Sequence, residues 1–77
     1  MQKRSLTIAG HRTSIALEPE FWSGLDAVAA ELSLSIPATV ELIDQSRRSD
    51  NLSSAIRLAV LAWFRDHRLP RPAPQED

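Results

Sequence analysis

The chain has no cysteine, no tyrosine and only two glycines in 77 residues. Without cysteine, neither a disulfide framework nor a thiolate zinc site can stabilise so small a domain. With glycine only at positions 10 and 24, no glycine-rich phosphate loop can form. No apolar run approaches the roughly 18 residues that mark a membrane span. The basic start Met1-Gln2-Lys3-Arg4 resembles that of a signal peptide, but Ser5 to Arg12 carries no continuous apolar stretch. A cytoplasmic protein is expected. A single domain of this size hides only roughly 60% of the surface that its unfolded chain exposes. Self-association is the remaining route to stability, so a homo-oligomer is expected.

The net charge of −1 conceals a division along the chain. Residues 1–17 hold Lys3, Arg4 and Arg12 and no acid, for a charge of +3. Residues 18–46 hold Glu18, Glu20, Asp26, Glu31, Glu41 and Asp44 and no base, for −6. Residues 47–69 return to +3 through Arg47, Arg48, Arg57, Arg65 and Arg68 against Asp50 and Asp66. Because electrostatic binding depends on local patches, a polyanion can approach the N-terminal segment but is repelled by the acidic middle.

From Arg12 to Leu17 the side chains alternate. Thr13, Ile15 and Leu17 share one face and Arg12, Ser14 and Ala16 the other, the period-two pattern of a half-buried strand. Pro19 suits a first helical turn, where Glu18 and Glu20 complement the dipole. Phe21, Trp22, Leu25, Val28, Ala29 and Leu32 form an amphipathic stripe, predicting a helix over about residues 19–32. Ser35 is the expected N-cap of a second helix, with Pro37 in its first turn, Ile36, Val40 and Ile43 on its stripe and Arg47 and Arg48 in its last turn. The Ser49-Asp50-Asn51 cluster breaks the chain and caps a third helix over about residues 52–67, apolar nearly all round and therefore expected to make contacts on several sides. From Leu69 the sequence is proline-rich and polar, which predicts an extended tail. The domain plan is an arm or extra strand over 1–11, a folded core over 12–68 and a tail over 69–77.

A lone strand leaves backbone groups unpaired, each costing about 1–3 kcal/mol if buried. Two neighbours can supply the missing bonds. The expected one is the same strand of a second copy, antiparallel across a two-fold axis, which covers Ile15 and Leu17 from both chains and couples folding to dimerisation. The other is residues 6–9, folding back through a Gly10-His11 turn so that Leu6 opposes Ile15 and Ile8 opposes Thr13. If a second copy were then added to that hairpin, the four-stranded sheet would be too wide for a major groove of about 12 Å.

The order strand, helix, helix, with Arg12-Thr13-Ser14-Ile15-Ala16-Leu17-Glu18-Pro19-Glu20-Phe21-Trp22 and Leu32-Ser33-Leu34-Ser35, resembles the Arc/MetJ-like ribbon-helix-helix superfamily. More narrowly it is similar to a family of short bacterial ribbon-helix-helix domains in which Asn-Leu-Ser-Ser, here Asn51 to Ser54, opens a further helix. The resemblance covers roughly residues 10–65. It implies a mainly α fold with a short β-ribbon, a third helix and an intertwined homodimer. Its interface would comprise Thr13, Ile15, Leu17, Trp22, Val40, Ile43, Ile56, Val60 and Trp63. It further implies a transcription regulator that lays its ribbon in the major groove of double-stranded DNA. Arg12, Ser14 and Ala16 would face the bases, Lys3 and Arg4 would meet phosphates as an arm, and Ser35 and Ile36 would offer helix N-terminal N–H groups to a phosphate. Pro37 removes one such donor.

Other readings stand beside these. Arg12, Lys3 and Arg4 also fit solvated surface charge, and the four aromatics fit a core better than a base-stacking platform. His11 reads as a turn residue, and only His67 could join it in a metal site, at no recognisable ligand spacing. No nucleophile or metal motif points to catalysis, so neither enzyme activity nor a cofactor is expected. The alternative function is a protein-interaction module that keeps the fold without groove reading. A pI of 6.1, well below the value above about 9 common in DNA-binding domains, favours it, and the tail could engage a further protein.

Overall fold

A computed structural model describes residues 1–46 and 51–69. The element order is β1 (Gln2–Ile8), β2 (His11–Leu17), α1 (Pro19–Leu32), α2 (Ile36–Gln45) and α3 (Leu52–Asp66). Strands β1 and β2 form a two-stranded antiparallel ribbon within one chain. The second strand therefore finds its partner nine residues upstream and needs no second copy to pair that edge.

The register differs from the expected one. Leu6 faces Thr13, Arg4 faces Ile15 and Ile8 faces His11, so the turn residues are Ala9 and Gly10. Both have positive φ, 50° and 82°, as a mirror-image two-residue hairpin turn requires. Gly10 thus occupies the second turn position, and Ala9 takes the left-handed conformation that alanine seldom adopts. Sliding the pairing by two residues leaves every side chain on its original face, so the apolar inner side is unchanged.

Helix α1 begins at Pro19 behind Glu18, whose carbonyl accepts the Phe21 and Trp22 N–H groups at 2.9 and 3.1 Å. It ends where Ser33 turns left-handed at φ 57°, and the Leu34 N–H returns to the Ala29 carbonyl at 3.0 Å. Helix α2 starts at the Ser35 cap, whose Oγ accepts the Ala38 N–H at 3.2 Å. It extends to Gln45; its expected last turn at Arg47 and Arg48 falls outside the described residues, as does the tail beyond Leu69. Helix α3 is capped by Asn51, whose Oδ1 accepts the Ser54 N–H, and closes on a left-handed His67. Leu69 packs back against the core.

The core lies between the inner face of the ribbon and the three helices. Ile8, Ile15 and Leu17 meet Trp22 and Leu25 of α1, Val40 and Ile43 of α2, and Ile56, Ala59 and Val60 of α3. Residues Ile15, Leu17, Trp22, Val40, Ile43, Ile56 and Val60, which the resemblance would assign to a dimer interface, are thus buried inside one chain, with Thr13 and Trp63 partly so. The reason is α3, which covers apolar surface that a ribbon and two helices would leave open. Gly24 of α1 lies against α3: a Cβ there would lie 2.7 Å from Val60 Cγ1. The neighbour is a side chain rather than a second backbone.

Candidate nucleic-acid interface

The ribbon presents two unlike faces. Toward the helices point Gln2, Arg4, Leu6 and Ile8 of β1 with His11, Thr13, Ile15 and Leu17 of β2. Away from them point Lys3, Ser5 and Thr7 with Arg12, Ser14 and Ala16, in cross-strand pairs Lys3 with Ala16, Ser5 with Ser14 and Thr7 with Arg12. All six are exposed except Ala16, which is half-buried. This outward face carries two cations, three hydroxyls and no acid. Neither Lys3 nor Arg12 makes an ion pair among the described residues.

Of the residues assigned to DNA from the sequence, the structure brings Lys3, Arg12, Ser14 and Ala16 onto this one surface. Arg4 is elsewhere. Its guanidinium lies over the Trp22 ring, 4.4 Å from the centroid, and donates to both carboxylate oxygens of Asp26 at 3.1 and 3.4 Å. Ser35 spends its hydroxyl on the Ala38 N–H, and with Pro37 lacking a donor, Ile36 supplies the remaining N–H in that first turn besides those of Ala38 and Thr39, both already bonded. Ser5 and Thr7 were not assigned a role from the sequence. Their signal was available, since the alternation of Lys3, Ser5 and Thr7 with Leu6 and Ile8 continues the period-two pattern upstream of the turn.

Three polar ties fasten the hairpin to the helices along its length. Trp22 Nε1 donates to the Gln2 carbonyl at 2.8 Å, Arg4 holds Asp26, and the Ala9 N–H donates to Glu41 Oε2 at 3.1 Å. A fourth contact braces the helices behind it: Arg57 Nε donates to Glu18 Oε1 at 2.8 Å. That hydrogen bond holds the Glu18 carboxyl below its ordinary value. The acidic middle of the chain is therefore not a uniform repulsive field, because Glu18 and Asp26 are paired with arginines, while Glu41 keeps its charge as it accepts a backbone N–H.

Elsewhere, α3 leaves Leu58, Leu61 and Phe64 more than half exposed. Beside them, a shallow cleft between the C-terminal halves of α1 and α3 is lined by Ala27, Ala30, Glu31, Trp63, Phe64 and His67. Among the described residues, no three of His, Asp and Glu converge as a metal site, and no helix is long and apolar enough to cross a membrane.

A family model described as a ribbon-helix-helix domain matches residues 1–64, spanning both strands, α1, α2 and most of α3. No curated protein and no solved structure matches the chain.

Proposed function

Since the chain belongs to the ribbon-helix-helix domain family, whose members are typically DNA-binding transcription regulators, we propose that it binds double-stranded DNA by laying the outward face of the β1–β2 hairpin in the major groove. The observation that carries this reading is the composition of that face: Lys3, Ser5, Thr7, Arg12 and Ser14 exposed together, with no carboxylate among them. A two-stranded ribbon is the width that the groove admits. Arg12 is suited to a guanine edge, Ser5, Thr7 and Ser14 to donors or acceptors on either base, and Lys3 to the phosphates at one rim. The ties from Trp22, Asp26 and Glu41 hold the hairpin against the helices, so little ordering is needed on binding.

The test is binding to random-sequence duplex DNA over a salt series. Counterion release makes affinity fall as salt rises, and the Lys3→Ala/Arg12→Ala protein should bind more weakly and with a shallower salt slope. Absence of salt-sensitive binding at low ionic strength would rule the reading out.

A second reading is favoured by one observation. Leu58, Leu61 and Phe64 are exposed on a helix whose opposite side is fully packed, and such patches mark protein contacts. In that case the chain serves as an interaction module, through α3 rather than the ribbon.

A further inference from the structure

Resting on the DNA-binding reading, we infer that Arg4 is a positioning residue: it touches no DNA, and instead fixes the open end of the hairpin, with Lys3 on it, against α1. The two ends of β1 are attached to the helices by different chemistry. Near the turn the inward residues are apolar, with Ile8 in the core and Leu6 packed against it. At the open end the inward residues are Gln2 and Arg4, and neither adds an apolar side chain to the core. An N-terminal strand of this kind loosens unless it is tied down. Here polar contacts to α1 tie it. The Trp22 indole N–H donates to the Gln2 carbonyl at 2.8 Å, and the Arg4 guanidinium covers that same indole while reaching Asp26.

Arginine suits this place because it can do two things at once. Its flat face lies 4.4 Å from the Trp22 ring centroid while its edge donates to both Asp26 oxygens at 3.1 and 3.4 Å. A lysine ammonium offers neither a stacking plane nor a rigid fork. With side chains 38% and 49% exposed, the Arg4–Asp26 pair adds little to global stability, and what it supplies is local order. Lys3 lies between Gln2 and Arg4 and points the other way, so holding its two neighbours against α1 aims its ammonium outward. Loosening a segment that must be ordered in the complex costs affinity. Arg4 itself faces the helices with its charge matched by Asp26, which sets it apart from the cationic surface that would release counterions from DNA.

The experiment compares the parent protein with Arg4→Lys and Asp26→Asn in binding to random-sequence duplex DNA over a salt series, alongside thermal melting and backbone amide order parameters of the free proteins. Asp26→Asn separates the alternatives by sign. On charge alone, removing an acid favours a polyanion, whereas losing the partner of Arg4 frees the hairpin end. Both variants are expected to bind about 2- to 10-fold more weakly. Arg4→Lys should keep the parent's salt slope, and both variants should melt close to the parent while showing lower order parameters at Lys3 and Arg4. A direct phosphate contact by Arg4 gives the opposite pattern: Arg4→Lys keeps the parent's affinity, and Asp26→Asn binds as tightly as the parent or more so. Either of those results would overturn this inference while leaving DNA binding intact. A parent protein that binds no duplex in a salt-sensitive manner would instead remove the DNA-binding reading, and this inference with it.

Discussion

Arg57, in the middle of α3, donates through Nε to Oε1 of Glu18, the residue that caps α1, at 2.8 Å. The two residues are 39 apart in sequence, and the pair ties α3 to the start of α1 at the point where the ribbon ends and the helices begin. Because the hydrogen bond from Arg57 holds the Glu18 carboxyl below its ordinary value, the pair contributes stability that is fully present above the unfolded-state value near 4.5 and is lost as pH falls through the lowered folded-state value. Glu18→Gln should reduce the acid dependence of unfolding in that window and have a small effect near pH 7, as expected for a partly exposed ion pair. Urea denaturation between pH 2 and pH 7 measures the difference.

Gly24 tests the close approach of α1 and α3. Alanine would favour the helix by about 1 kcal/mol over glycine, but its Cβ would stand 2.7 Å from the stiff, buried Val60. Overpacking of this kind costs about 1–3 kcal/mol. Gly24→Ala should therefore destabilise on balance, and the double change Gly24→Ala/Val60→Ala should cost less than the sum of the two single changes in chemical denaturation.

Trp22 fills the core at 1% exposure while donating to the Gln2 carbonyl and lying beneath Arg4. Trp22→Phe removes the donor, shrinks the side chain and weakens the cation–π contact. A loss of about 1–3 kcal/mol is expected from the cavity and hydrogen-bond terms, and amide exchange should accelerate most at the N-terminal end of β1.

The turn offers a change in the opposite direction. Ala9 sits at φ 50° where asparagine is far better tolerated. Ala9→Asn should raise stability by about 0.5–1 kcal/mol, read as a higher urea midpoint at an unchanged denaturant slope.

The parts of this fold that were legible in the sequence are those fixed by local chemistry. Pro19 and the stripe from Phe21 to Leu32 set α1; Ser35 and Asn51 accept the N–H bonds that caps make. The outward placement of Arg12 and Ser14 followed from alternation alone. The hairpin register did not follow, because a slip of two residues preserves every face, and the choice falls to the turn. There Gly10 suits either turn position, and only the backbone reveals that Ala9 accepts a left-handed conformation. Arg4 escaped for a different reason. Its role depends on Trp22 and Asp26, 18 and 22 residues away in sequence, which no local pattern links to it. Likewise the apolar residues of β2, α2 and α3 were recognisable as buried, but whether one chain or two would bury them depended on where α3 packs.

Closing the ribbon within one chain changes the molecularity of its formation. Pairing β1 with β2 is a local, first-order event of the kind that takes microseconds in hairpins, and its equilibrium is indifferent to dilution. A ribbon shared between two chains would instead lose its strand partner as concentration fell. At low copy number this hairpin is as well formed in one molecule as in a thousand.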